Sequence, residues 1–451
     1  QSNAGKKMRP SLFCAMITAQ NKLGLIFFPA FDWAISPTHP EREERLLYTQ
    51  DQLREEGVFD IAGVTEYKPL VASEEDVARV HFCLPDVASV ITESHLISAG
   101  GAIKAGELVM DKTEQKAFAL VRPPGHHAMK VVHGNRGFCN INIEAVMVER
   151  LRERYGPLRV AIVDTDCHHG DGTQDIYWHD PNTLYISIHQ DGRTLYPGSG
   201  FTFEDGGPNA RGRTINIPLP PETSDEGFLY AIERMVLPIL TDFKPDLVVN
   251  SAGQDNHYSD PITNMNFSAQ GYARLSELLN ADIAVLEGGY SIQGALPYVN
   301  LGIVLAMAGV DYTAVREPTY DAACIEQPRN IMPFIKKVAD EVLAAYFNPS
   351  GERGMPGNYD VRRKGVFYDT DMIREEQVES IMICDECAGT LKIETSSSAN
   401  PLSLCVEIPI GACDRCRDEG LRIVHEGKKK KGKDYAHIVL INRRDREYVR
   451  T

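Results

Sequence analysis

From about Leu23 to Ala345 the sequence alternates short β-branched apolar runs with amphipathic helical stretches, and this constrains the fold more than any other feature. The clearest runs cover residues 117–121, 159–164, 183–189, 214–218, 246–251 and 282–287. Several are apolar almost throughout, as strands are when both faces of a parallel sheet are covered. Helical patterns over 144–155, 225–241 and 268–280 fall between them. Strand–helix alternation at this spacing predicts an α/β fold with a three-layer, doubly wound parallel sheet. There is no internal repeat.

At 451 residues, 43% hydrophobic and 24% charged, the chain can bury one large core and a smaller second one. The segment FNPSGERGMPGNYDVRR (347–363) is rich in Gly, Pro and charge and suits a boundary. The expected division is a catalytic domain over 8–348, a linker over 349–380 and a small β-rich domain over 381–451. Residues 381–451 hold 13 Lys+Arg against 11 Asp+Glu, so the formal charge of −16 resides in the larger part. That acidity argues against nucleic acid or an anionic membrane as the general partner. Residues 1–4 (QSNA) read as the remnant of a cleaved tag. No signal pattern follows, and no apolar run approaches the ~18 residues of a membrane span. A soluble, cytoplasmic protein is expected.

Four of the ten cysteines form two C-x-x-C pairs, Cys384/Cys387 and Cys413/Cys416, separated by strand-like runs. In a chain otherwise poor in cysteine this spacing reads as a zinc ribbon with a structural Cys₄ ion, a redox dithiol being the alternative reading. Cys405 is a spare, expected to be packed. The lysines at 428–431 and 433 could meet nucleic acid or an acidic partner, but such a run reads first as a solvated loop between strands.

Five of 13 histidines lie between residues 126 and 169, four of them in tandem pairs within RPPGHHA (122–128) and DTDCHHGDG (164–172). Both segments follow a predicted strand, as do SAGQDNH (251–257) and EGGY (287–290). Ligands of open α/β sheets bind outside the carboxyl ends of the strands. Alternate residues of an extended strand end point the same way, so Asp166 and His168 can reach one metal. Asp255, from another strand, completes three ligands. Three protein ligands and an open position make a catalytic arrangement, and Asp₂His suits Zn²⁺ or Fe²⁺. Tandem histidines beside such an ion suit acid–base work, with Asp164 and Asp171 available to fix their tautomers.

These motifs, together with HPEREERL (39–46), SAGGAIKAG (98–106), GFCNIN (137–142) and YPGSG (196–200), closely resemble the histone deacetylase and acetylpolyamine amidohydrolase superfamily. They cover roughly residues 20–345 in the family's order, and the resemblance implies the arginase/deacetylase fold. It implies Asp166, His168 and Asp255 as ligands of a catalytic zinc, with Fe(II) the other candidate. His126 and His127 become the base/acid pair, supported by Asp164 and Asp171, and Tyr290 the donor to the oxyanion. Gly137, Phe138 and Tyr196 would wall the acyl-lysine channel, Tyr196 standing where many relatives have Phe. Asp164, Asp166, His168, Ser187 and Ile188 fall where the family often holds K⁺ or Na⁺.

A binuclear arginase-like centre would need further carboxylates, where this chain has Gly170 and His257. One catalytic metal is therefore expected. His169, His189 and His257 read as structural, and Cys139 and Cys167 as small apolar packing. Ile262 sits where a polyamine-preferring branch places Glu, which favours acyl-lysine over acylpolyamine. The expected activity is metal-dependent hydrolysis of acylated lysine in a peptide or protein, with acylated polyamines the second substrate class. A non-catalytic acyl-lysine binding module is the third reading, and the full set of catalytic groups argues against it. An oligomer is compatible with the sequence.

Overall fold

The computed structural model describes residues 17–348 and 354–451. The tag remnant at 1–4, the expected domain start at residue 8 and the first part of the linker (349–353) lie outside the described residues.

Eight parallel strands form the main sheet: β1 (Thr18–Phe28), β2 (Ala62–Tyr67), β3 (Lys116–Val121), β4 (Val160–Asp164), β5 (Thr183–Gln190), β6 (Thr214–Leu219), β7 (Leu247–Ala252) and β8 (Ile283–Leu286). Their order is β2-β1-β3-β8-β7-β4-β5-β6. Every residue of β3, β4, β5 and β6 is buried, which is why these runs read as continuously apolar.

Helices α1 (Glu93–Met110) and α2 (Ile143–Tyr155) pack on one face, where Ala102, Ile103 and Leu151 meet Ala119, Ile162 and Val249. Helices α3 (Ala269–Leu279), α4 (Leu296–Ala308) and α5 (Ile331–Phe347) cover the other, where Tyr272, Val299 and Ile335 join the cluster of Leu25, Phe118 and Val163. The expected three layers are present. Asn142 and Ser268 cap α2 and α3 by accepting from Ala145 N and Gly271 N, satisfying first-turn donors.

The C-terminal part is a separate six-stranded sheet of β9 (Tyr359–Tyr368), β10 (Ile373–Met382), β11 (Leu391–Ser397), β12 (Ser403–Ile408), β13 (Ile438–Asn442) and β14 (Glu447–Arg450), in that order. Only β12 and β13 pair in parallel, and the crossover this requires is α6 (Asp414–Lys430). Two expectations change here. Residues 359–380, placed in a linker, belong to a ten-pair hairpin over 359–382; its outer strand is an edge whose Arg362 and Lys364 pair with Glu379, so no apolar alternation marks it. Lys428, Lys429 and Lys430, expected in a loop, occupy the last turn of α6, where positive charge suits the helix dipole.

The two sheets are joined by a shared apolar cluster: Phe82, Leu84 and Val131 of the larger part pack with Ile381, Leu391, Ile393, Val439 and Ile441. Buried ion pairs flank it, Glu407 binding both Lys130 and Arg443, and Arg443 also reaching Glu149 at 3.2 Å. His133 sits in the same interface, within 3.1 Å of Thr395 Oγ1, Ser397 Oγ and Asn400 Nδ2. Burial pushes its pKa down to about 4, and burial is likewise the largest influence holding His81, His95 and His189 near 4. The unfolded chain, with histidines near ~6.5, binds more protons than the folded one between these values. Stability is thus complete above the unfolded pKa and is lost as pH falls toward 4. Melting temperatures measured from pH ~7.5 to ~4 are expected to stay level down to about 6.5 and then drop steadily, each such histidine costing roughly 3 kcal/mol at the lower end.

Candidate active site

β3, β8, β7 and β4 are neighbours at the middle of the main sheet, and their carboxyl ends open into one crevice. RPPGHHA leaves β3, EGGY leaves β8, SAGQDNH spans the end of β7, and DTDCHHGDG leaves β4. Sheet register thus brings together residues far apart in the chain; Asp164 stands opposite both Ser187 and Ser251.

Asp166, His168 and Asp255 converge, with their ligand atoms within 4.8 Å of one another and all three residues buried. His168 Nδ1 lies 3.1 Å from Asp166 Oδ1 and 2.9 Å from Asp255 Oδ2. Backbone amides fix the carboxylates: Gly288 N donates to Asp166 Oδ2 (2.7 Å) and Cys167 N to Asp255 Oδ1 (2.7 Å). A Cβ at Gly288 would lie 2.4 Å from Asp255 Oδ2 and 2.5 Å from Asp166 Oδ2, so only glycine leaves this cradle open. Burial opposes the charge of His168, yet Asp255 and Asp166 raise its pKa to about 10. Two buried carboxylates that hold a proton this firmly call for positive charge, and a divalent cation meets that demand in place of the proton. The donor set therefore fits a single metal of the zinc or iron(II) type.

Beside it, His126 Nδ1 bonds Asp164 Oδ2 (3.1 Å) and His127 Nδ1 bonds Asp171 Oδ1 (2.9 Å), with the two rings 4.1 Å apart. Burial works against charge on both histidines. Asp166 and Asp164 outweigh it at His126, whose pKa lies well above the ordinary value, whereas His126, His168 and Arg136 reinforce it at His127 and hold that pKa well below. A cation at the ligand triad would offset the pull of Asp166 on His126.

Tyr290 is 8% exposed, and burial keeps its hydroxyl neutral by raising its pKa. Its N–H donates to Asp260 Oδ2 (2.7 Å), its ring stands 5.6 Å from Phe138, and the Arg45 guanidinium lies 5.0 Å over it. The Tyr196 ring is 5.1 Å from His127 and 6.5 Å from His168. Tyr196 thus stands beside His127 and His168, and Phe138 beside Tyr290. Ile262 is half-buried after Asp260, its N–H bonded to that carboxylate at 3.1 Å. His169, His189 and His257 each have both ring nitrogens bonded to neighbouring groups, which accords with structural roles. Cys139 and Cys167 are fully packed.

Several supporting residues escape a reading of the sequence. Glu287 Oε2 accepts from Gly125 N (2.7 Å) and His126 N (3.0 Å), holding the tandem-histidine loop. Arg45 Nε donates to Gly289 O (2.7 Å) and is paired through Glu41 with Arg122. Tyr185 OH donates to Asp164 Oδ2 at 2.9 Å, and Arg136 lies 2.6 Å from Asp171. Glu287, Arg45 and Glu41 do stand within the quoted motifs, which is the one signal they give.

A family model for the histone deacetylase domain matches residues 86–301. A probable deacetylase of Archaeoglobus fulgidus is 46% identical over 310 residues, covering 63% of this chain and 85% of its own length. The chain belongs to the histone deacetylase family. Another relative in that family, a histone deacetylase-like amidohydrolase of Pseudomonas aeruginosa, is 32% identical over 71% of this chain and 90% of its own. Among solved structures, that of the HDA15 HD domain superposes with a TM-score of 0.58 at 25% identity, covering 72% of this chain and 98% of that one. The histone deacetylase match encloses His126, His127, Asp166, His168, Asp255 and Tyr290, and it ends before the C-terminal sheet begins.

That sheet adds to the histone deacetylase domain a second cluster of metal-ligand type. Cys384, Cys387, Cys413 and Cys416 place their sulfurs within 4.8 Å of one another. The separations Cys384–Cys387 (3.6 Å), Cys384–Cys413 and Cys387–Cys413 (both 3.8 Å) match the edge, about 3.8 Å, of a tetrahedron with ~2.3 Å zinc–sulfur bonds. They are far too long for disulfides. The first pair lies in the β10–β11 turn and the second at the start of α6, so the knuckles join a hairpin to a helix. Asn209 of the larger domain holds the first knuckle, donating to Met382 O (2.9 Å) and Ala388 O (2.8 Å) and accepting from Cys384 N (3.0 Å). Cys405 is buried in the interdomain cluster, away from the other four.

Proposed function

We propose that the protein hydrolyses the amide of acylated lysine in a peptide or protein, releasing a free amine and a carboxylate. The observation that supports this most is the convergence of the Asp166–His168–Asp255 triad with two carboxylate-oriented histidines and a buried neutral tyrosine. A zinc or iron(II) ion held by the triad would polarise the amide carbonyl and acidify the attacking water. His126 and His127, each tethered through Nδ1, are the groups that take the proton of that water and return one to the leaving amine. The Tyr290 hydroxyl donates to the oxyanion of the tetrahedral species. Phe138 and Tyr196 flank the aliphatic stem, and Gly137 lets that wall's backbone close against His127. Asp164, Asp166 and His168, with Ser187 and Ile188, are the proposed seat of a potassium or sodium ion; the register of Asp164 with Ser187 supports it. The Cys₄ cluster is the proposed seat of a structural zinc. No described helix is long and apolar enough to cross a membrane.

The half-buried Ile262, which brings no carboxylate to the site, favours acyl-lysine over acylpolyamine. On zinc-loaded protein, kcat/KM for an acetyl-lysine peptide is expected to exceed that for N-acetylputrescine at least about tenfold, the scale of one lost charge contact. The reverse order would assign the polyamine reading. Stoichiometric peptide binding without turnover of either compound would leave the binding-module reading in its place.

A further inference from the structure

The β9–β10 hairpin reaches from the C-terminal domain to the loop that carries Phe138. Asp369 Oδ1 accepts from Gly137 N at 2.9 Å, Asp371 Oδ2 accepts from Asn135 N at 2.6 Å, and the Thr370 hydroxyl donates to Asn135 Oδ1 at 2.6 Å. Tyr368 OH, at the base of the turn, donates to Val131 O at 2.8 Å. The loop held this way is under constraint. Gly137 (φ +53°) and Phe138 (φ +71°) are both left-handed, a region a phenylalanine rarely adopts. A Cβ on Gly137 would approach His127 Cδ2 to 2.5 Å, so this backbone presses directly on the imidazole. The Phe138 ring in turn stands edge-on to His39 (4.3 Å) and to Tyr290 (5.6 Å). The Gly137 N–H donates to a carboxylate from the other domain, while the Arg136–Cys139 backbone bridge, the Cys139 thiol on Gly137 O (3.4 Å) and the Arg136–Asp171 pair hold the rest of the turn from within the larger domain.

We propose that Asp369 is a positioning residue of the substrate channel: it fixes the Gly137–Phe138 turn so that Phe138 walls the acyl-lysine stem. The C-terminal domain then completes the active site as well as bracing the fold. This rests on the reading of Phe138 as a channel wall. An aliphatic stem contacts that wall in ground and transition states alike, so losing the wall raises KM and leaves kcat nearly unchanged.

The test uses the full-length, zinc-loaded protein with Asp369→Ala and Asp369→Asn, the second keeping a side-chain oxygen that accepts from Gly137 N. Calorimetric titration compares a hydroxamate on a six-carbon chain, which fills the channel, with acetohydroxamate, which engages the metal alone. For Asp369→Ala the long ligand is expected to weaken about tenfold and the KM of an acetyl-lysine peptide to rise similarly. Acetohydroxamate affinity should stay within about twofold, and Asp369→Asn should restore the long ligand. Parental affinity of Asp369→Ala for the long ligand would overturn the proposal. So would equal weakening of both ligands with a lowered melting temperature, or Asp369→Asn as weak as Asp369→Ala. A parent that binds both hydroxamates but hydrolyses no acylated amine would instead sink the functional reading and leave the Asp369 comparison intact.

Discussion

Replacing Tyr290 with phenylalanine is expected to lower kcat on an acetyl-lysine peptide by roughly 10²–10³-fold, the usual effect of deleting one oxyanion donor. Bound metal, KM and melting temperature should stay near the parental values. The substitution removes one oxygen and leaves the ring, which packs against Phe138 and beneath Arg45. The turn it sits on is held through backbone groups, Tyr290 N to Asp260 and Gly289 O to Arg45, which the substitution does not touch. None of the three candidate ligands depends on the phenol. Burial keeps the hydroxyl protonated, so the parent has a donor across the neutral range. A variant with undiminished turnover would remove Tyr290 from the chemistry.

Substituting Cys387 with serine should reduce metal content from two equivalents per chain to one and lower the melting temperature by about 10 °C or more. Structural zinc contributes on the order of 10 kcal/mol to a small domain. At 3.6–3.8 Å the sulfur spacings suit a shared ion and exclude disulfides. Because Asn209 ties the first knuckle to the larger domain, the loss should extend beyond the C-terminal sheet. Mass-spectrometric metal analysis beside a thermal melt decides the matter. Two equivalents and an unchanged melt would leave the cysteines without an ion.

The core of this molecule was legible because its strands are buried on both faces. Such strands write themselves as apolar runs, and the six runs read from the sequence coincide with β3 to β8 to within one or two residues. β2 at the edge of the sheet and β1 beside it are more exposed and gave weaker signals. The convergence of Asp166, His168 and Asp255 could be anticipated because Asp-x-His at a strand end is a local pattern and Asp255 follows the end of another strand. Arg136, Tyr185 and Asn209 could not, since each acts on a partner that only the folded chain brings near. The hairpin of β9 and β10 was hidden for a different reason. Its residues are held by ion pairs across the domain boundary, with Lys364 and Arg362 on Asp175, and a charged strand resembles a linker until its partners are known.

The apolar seam between the two domains bears on how the chain is made. Phe82, Leu84 and Val131 are synthesised early, but the residues that cover them, Ile393, Val439 and Ile441 among them, emerge far later. Until then the nascent larger domain exposes a greasy face, and its Gly137–Phe138 turn lacks the hydrogen bond to Asp369. Closure of the seam is thereby coupled to completion of the last strands, so a chain interrupted in its final third is left both adhesive and unfinished.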